Sequence, residues 1–263
     1  MGNKSQQLKE LALSCFNQDN KEELDRLLSE LNITLDEVIN TYIDYDLDIF
    51  SYHNEIYDSL VMRVVLHVHN LLKGSWHIER QDTINDFINA LNPSSVMDIG
   101  FGVPSLYVKE ALKKTQIKIT LSDFAESAID FAKTLLNIWN PNWHNHVSLA
   151  CEDMVKVSFN PPKHDVYLFQ DSIEHVEDPT TCLTNFVKNS SPEAKFILSI
   201  PIGPMIPMHC MAWDSSQEVV EWLQQCNLKI TMQKQVRVNP AVDLFAEQHN
   251  FSYINLIVVC EKI

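Results

Sequence analysis

The stretch VMDIGFGVP, residues 96–104, sets the acid Asp98 just ahead of Gly100 and Gly102. Only five glycines occur in the whole chain, and two of them fall here. Glycine has no Cβ and tolerates positive φ, so a turn built this way brings backbone N–H groups close to a ligand. Polar and acidic residues then recur at intervals. IKITLSDF (117–124) ends in Asp123 and Phe124, HVSLACEDM (146–154) ends in Glu152, Asp153 and Met154, and HDVYLFQDSIEHVEDP (164–179) brings Gln170, Asp171, Glu174 and His175. Each group follows an apolar run of strand length. In an open parallel sheet, ligands bind outside the carboxyl ends of the strands, so these side chains converge on one crevice. A carboxylate after the second strand suits a ribose diol, because it accepts from two hydroxyls.

With these four groups in order, the chain resembles the class I S-adenosylmethionine (SAM)-dependent methyltransferases, in their small-molecule branch, over roughly residues 80–263. VMDIGFG is similar to the family's first motif, which implies that Asp98, Gly100 and Gly102 hold the methionine part of the cofactor. The resemblance gives Asp123 the ribose, with Phe124 beside it. It gives Asp153 and Met154 the adenine, and sets Gln170 at the border of the cofactor. One departure stands out: Val103 and Pro104 occupy the place where the family carries a third glycine, and proline has no N–H and a fixed φ. Arg80, upstream of the motif, is a candidate to bind the cofactor carboxylate in compensation.

The elements that must position these groups fall into two stretches. Residues 1–91 read as wholly helical. Asn20 can cap a helix carrying Leu24, Leu27, Leu28 and Leu31 on one face, and Thr34 with Glu37 forms a capping box. A longer helix is expected from Asn54 to Leu72, with Ile56, Leu60, Val64, Val68 and Leu71 in one stripe, and another from Asp82 to Leu91. From residue 95, strands near 96–99, 117–121, 147–150, 165–170 and 195–200 alternate with helices near 105–113, 125–138 and 178–188. That alternation is the mark of a parallel sheet with helices on both faces. A helix near 216–225 and two closing strands, 229–238 and 253–262, complete a seven-stranded, Rossmann-like α/β unit whose last strand is antiparallel. The expected division is a helical cap over 1–80 and a SAM-binding domain over 81–263.

A net charge of −15, with only 20 lysines and arginines, argues against a nucleic-acid or anionic-membrane partner. A small-molecule substrate fits better, with a monomer or homodimer as the assembly. Six cysteines without a CxxC pair read as reduced and structural, with Cys151 and Cys260 inside strands, and they imply a cytoplasmic setting. No apolar stretch reaches the length of a signal peptide core or a membrane span.

Methyl transfer from a sulfonium needs chiefly alignment of the acceptor, with a base where a proton must leave. His175, Asp171 and His209 are the candidates for that work. His209 lies in the Met- and Pro-rich segment PIGPMIPMHCMAWD (201–214) after the fifth strand. Tyr52, in a cluster with Tyr42, Tyr45, His53 and Tyr57, offers an aromatic face for a cation. His67 and His69 are two apart on a helix and so face different ways, and no metal site is expected. The leading reading is methyl transfer to a small molecule under the cap. One alternative is attack at the aminocarboxypropyl chain of SAM, as in cyclisation to azetidine-2-carboxylate with release of methylthioadenosine. Another is a non-catalytic SAM-binding module.

Overall fold

The computed structural model describes residues 2–16, 19–47, 58–72, 75–114, 117–156, 163–205, 208–237 and 254–263. Seven strands form one sheet: β1 (Ser95–Ile99), β2 (Lys118–Asp123), β3 (Val147–Cys151), β4 (Val166–Gln170), β5 (Lys195–Ile202), β6 (Leu228–Arg237) and β7 (Ile254–Lys262). Their order across the sheet is β3-β2-β1-β4-β5-β7-β6. β7 runs antiparallel to both β5 and β6, and the pairings among β1 to β5 are parallel. This is the expected fold, with strand limits within two residues of the sequence reading. The chain leaves β1 in one direction and reaches β4 on its other side. The resulting switch point opens a crevice at the carboxyl ends of β1 and β4.

Helices α5 (Trp76–Leu91), α6 (Leu106–Lys114) and α7 (Glu126–Trp139) cover one face of the sheet. Helices α8 (Pro179–Asn189) and α9 (Ser216–Gln225) cover the other, over a core that includes Tyr167, Phe169, Phe186 and Phe196. The central strands β1, β4, β5 and β7 are buried on both faces, which is why they read as nearly continuous apolar runs, while the edge strands β3 and β6 are partly exposed.

The N-terminal helices α1 (Gly2–Phe16), α2 (Lys21–Leu31), α3 (Leu35–Leu47) and α4 (Leu60–Leu71) share a third core that reaches Phe131 and Leu135 of α7. The Thr34–Glu37 capping box forms in both directions, at 2.7 and 3.2 Å. Asn20 stands at the N-cap of α2, but its side chain makes no capping bond. α4 is buried on more than the expected stripe, including Arg63, His67 and His69. It is sandwiched between α1 and α3 on one side and the α/β unit on the other. His67 and His69 do face opposite ways: His67 meets Phe131 and Trp139, and His69 packs on Tyr42 and Tyr45.

α5 begins at Trp76, six residues before the expected Asp82. Ser75 stands at its N-cap, and its first turn carries Trp76 and His77, which stack on each other. The correction matters because it puts Arg80 on a helix, and the expected boundary at residue 80 falls inside that helix. Cys260 is buried, but Cys151 is exposed, because it ends β3 at the edge of the sheet.

One carboxylate ties the helical layer to the sheet unit. Glu23 of α2 meets His67 of α4 at 3.0 Å, Lys109 of α6 at 2.5 Å and the Trp139 indole of α7 at 2.8 Å. Burial would raise its pKa, but the bonds from His67 and Lys109 outweigh that and bring it from 4.5 to about 2. A depressed folded-state pKa stabilises the protein above the unfolded value and loses that contribution as pH falls from 4.5 towards 2. Glu23→Ala is therefore expected to lower unfolding free energy by about 2–4 kcal/mol at neutral pH. Urea titrations of both proteins at pH 7 and pH 3.5 check this: the gap between them should narrow in acid.

Candidate functional site

Gly100 and Gly102 both adopt positive φ, +66° and +60°, directly after β1. A Cβ on Gly100 would lie 2.7 Å from the Ser172 Cβ and 2.8 Å from the Met154 Cε. The loop is therefore fixed both by conformation and by the closeness of the β4 turn. The Gly102 N–H donates to Asp123 Oδ2 at 2.9 Å, and Asp123 Oδ1 accepts from the Ala125 N–H at 3.0 Å. The two residues after the loop's second glycine, Val103 and Pro104, are buried, and Val103 joins the core of the helical layer. The departure from a third glycine thus has a packing reason. The loop leans on the N-terminal helices where a glycine would leave a gap.

Asp98 lies beneath this loop and is fully buried. Its Oδ2 accepts from the Tyr107 hydroxyl at 3.0 Å and from Gln170 Nε2 at 2.8 Å. Its Oδ1 has no partner among the described residues. Burial is the main force on its pKa, pushing it up to about 7 against the two hydrogen bonds. Gln170 in turn accepts from Ser105 at 3.0 Å. Gln81 of α5 accepts from the Leu106 N–H at 2.9 Å, capping α6, and donates to the Asn70 carbonyl of α4 at 3.2 Å.

At the end of β4, Asp171 takes a positive φ of 46°. Its Oδ1 accepts from Ser199 of β5 and Asn255 of β7, each at 2.7 Å, and its Oδ2 pairs with Arg80 of α5. Both oxygens are occupied, so the group is set up as an anchor. Arg80 reaches the site through this ion pair and lies 5.1 Å from the Trp76 ring centre.

The turn that follows carries Glu174 and His175 on a short 3₁₀ segment, Ile173–His175, and not on the next helix, which starts at Pro179 under an Asp178 cap. The segment after β5 is laced onto it. The Glu174 carbonyl accepts from the N–H groups of Cys210 and Met211 at 2.7 and 3.3 Å, and His175 Nδ1 bonds the Met208 carbonyl at 2.8 Å. This brings the His209 ring to 5.0 Å from that of His175. Desolvation lowers the pKa of both imidazoles, that of His209 to about 4. The Glu174 carboxyl is fully buried, and desolvation together with nearby Asp171 raises its pKa well above the usual range.

Asp98, Gly100, Gly102, Asp123 and Gln170 thus meet at one end of the sheet, with Asp171, His175 and His209 along its rim. Phe124 stands beside Asp123 with 70% of its surface exposed, an aromatic face turned to solvent. Met154 touches the Gly100 region, while Asp153 lies outside it, paired with Lys156 at 2.9 Å. Tyr52, His53 and Tyr57 lie outside the described residues. Tyr42 is buried in the helical core.

Two contributors had no signal in the sequence. Arg63 of α4 is buried, donates to Ser127 at 3.2 Å and passes within 3.7 Å of a Cβ built on Gly102. Gln81 looked like any polar helix residue. Both lie on the N-terminal helices and meet the loop only through the tertiary fold.

The orphaned Asp98 oxygen and the two positive-φ glycines fit a ligand that carries an ammonium and needs close backbone approach. The strand order and this loop define a Rossmann-like nucleotide-binding class. Residues 97–198 match the family model described as a methyltransferase domain. No curated protein sequence gave a match. Similar solved structures include the mitomycin 7-O-methyltransferase MmcR (TM-score 0.55, 12% identity, 90% of this chain and 68% of that one). They also include the O-methyltransferase of a trans-AT PKS multienzyme of Brevibacillus brevis in complex with S-adenosyl-L-homocysteine (0.54, 17%, 82% and 79%). A third is the [4+2]-cyclase SpnF (0.54, 13%, 72% and 83%). Among the described residues, no helix is long and apolar enough to cross a membrane.

A Gly100→Ala variant tests how tightly the loop is held. Its Cβ meets both a left-handed backbone and the β4 turn. Unfolding free energy from urea titration should fall by about 1–3 kcal/mol.

Proposed function

We propose that the protein is a SAM-dependent methyltransferase acting on a small molecule. The observation that carries this reading is the buried Asp98 with one unpartnered oxygen under a two-glycine turn, at the switch point of the sheet. SAM supplies a methyl group already activated on a sulfonium, so the chain's residues have to bind, align and shield. Asp98 receives the ammonium of the methionine part. Gly100 and Gly102 let the backbone close on it. Asp123 exchanges its backbone donors for ribose hydroxyls, and Phe124 offers its exposed face to the adenine, with Met154 and Asp153 on that side. Gln170 holds Asp98 in register. Arg80, engaged by Asp171, acts by fixing the β4 turn.

The acceptor then lies at the rim, where His175 and His209 stand. An imidazole there can take the proton of a hydroxyl or amine acceptor as it attacks. The low pKa of His209 keeps it unprotonated near neutrality, which is the form a base requires. The helical layer of α1 to α4 leans on the glycine loop through Val103 and is suited to limit the entry of water on that side. The −15 net charge favours a small neutral or cationic acceptor over a nucleic acid.

Two measurements test the reading. In isothermal calorimetry, SAM affinity should drop more than about tenfold in Asp98→Asn and in Asp123→Ala, a loss of ~1.4 kcal/mol or more. Native affinity should also weaken as pH falls below about 7, because Asp98 then becomes neutral. Chromatography of the reaction should show S-adenosylhomocysteine only when an acceptor is added. Methylthioadenosine formed from SAM alone would replace this reading with chemistry on the aminocarboxypropyl chain.

A further inference from the structure

Glu174 is the least satisfied polar side chain in the site. It is 0% exposed, and neither carboxylate oxygen has a hydrogen-bond partner among the described residues. Protonation alone does not resolve this, because the O–H so formed would again need an acceptor. A buried carboxyl whose side-chain oxygens have no hydrogen-bond partner within bonding distance costs several kcal/mol unless something else binds it.

Two imidazoles stand beside it. His175 Nδ1 lies 2.8 Å from the Met208 carbonyl oxygen. A carbonyl only accepts, so Nδ1 carries the proton and, in the neutral ring, Nε2 keeps its lone pair, with the Asp171 carbonyl as a second backbone group beside the imidazole. That is the arrangement by which metal-binding histidines are usually held, with the second nitrogen donating to a carbonyl. His209 crosses this ring nearly at right angles, 81°, and is half-buried. One ligand atom from each of Glu174, His175 and His209 lies within 4.8 Å of the other two. Tetrahedral ligands at zinc bond lengths are about 3.4 Å apart, a gap that small side-chain rotations close.

We propose that Glu174, His175 and His209 bind one divalent transition-metal ion, of the zinc or ferrous type. Two imidazoles and one carboxylate select these ions over Mg²⁺ and Ca²⁺, which prefer all-oxygen sites. Three protein ligands leave further positions open, as in catalytic sites of this composition. No spacing in the sequence supports it, because the ligands do not share one helix. Two lie on the turn after β4 and one lies after β5, and only the backbone bonds between Glu174 and the Cys210–Met211 segment bring them together. What the ion would do rests on the methyl-transfer reading: in place of a free imidazole base, it would bind an oxygen or nitrogen of the acceptor, ease loss of its proton and orient it at the rim, which narrows the acceptor to one with such an atom. Binding of the ion itself does not depend on that reading.

The test uses the full chain, stripped with EDTA and dialysed against Zn²⁺, with bound metal measured by inductively coupled plasma mass spectrometry. One zinc per chain is expected, and Co²⁺ in its place should give visible d–d absorption. His209→Ala, on a half-buried segment, should weaken zinc by more than about a hundredfold, beyond the 10–100-fold expected for an outer partner. Glu174→Gln should do the same, with circular dichroism confirming that each variant folds. Absence of stoichiometric zinc overturns the proposal. So does native zinc affinity in both variants, which would place the metal elsewhere, on the cysteines for example. SAM calorimetry on the stripped protein keeps the two readings apart. Loss of SAM binding there counts against methyl transfer and leaves the metal site standing, and zinc failing to bind while SAM still binds does the reverse.

Discussion

The site depends on one carboxylate whose oxygens are fully used. Asp171 sits at the end of β4 with a backbone conformation that side chains other than glycine, asparagine and aspartate seldom adopt. It persists because Ser199, Asn255 and Arg80 hold it from β5, β7 and α5. That grip turns the chain sharply out of the sheet. The turn drops Ser172 under the glycine loop, where its hydroxyl donates to the Ile99 carbonyl at 2.8 Å, and sends Glu174 and His175 to the rim. Removing the anchor would cost more than an ion pair, since the geometry of both halves of the crevice passes through it.

Charge is distributed in the same economical way around the crevice. Asp98 and Glu174 are buried with raised pKa values, and each has oxygen atoms without a donor. Asp123 and Asp171 are saturated with donors. Among the described residues, Asp98 keeps one oxygen and Glu174 both oxygens without a partner. Buried polar groups in folded proteins are otherwise almost always paired, so incompleteness of this kind marks where a ligand belongs.

Much of this was legible in the sequence. The strands alternate with helices at a regular spacing, and each strand of the crevice ends in its polar residue, so the fold could be read directly, and the convergence of Asp98, Gly100, Gly102, Asp123 and Gln170 at one end of the sheet with it. Local signals also placed the capping box at Thr34. What could not be read were contacts between segments far apart in the chain. Arg80 was expected at a cofactor carboxylate, and its ion pair with Asp171, 91 residues away in the chain, had no signal in the sequence. Glu23, Arg63 and Gln81 carry no pattern of their own. Their partners lie on α4, α6 and α7, and nothing in a linear chain announces a tertiary hydrogen bond. The same holds for His209, whose neighbours are set by backbone bonds between two loops.

Val103 makes the glycine turn and the helical layer a single cooperative unit. Its side chain belongs to the core formed by α1 to α4, while its own backbone closes the turn through the Phe101 carbonyl. Opening that turn exposes apolar surface of the N-terminal helices, and loosening those helices frees the turn. Local fluctuations at the two places are thus shared, and a restraint on the loop should slow amide exchange across the helical layer as well.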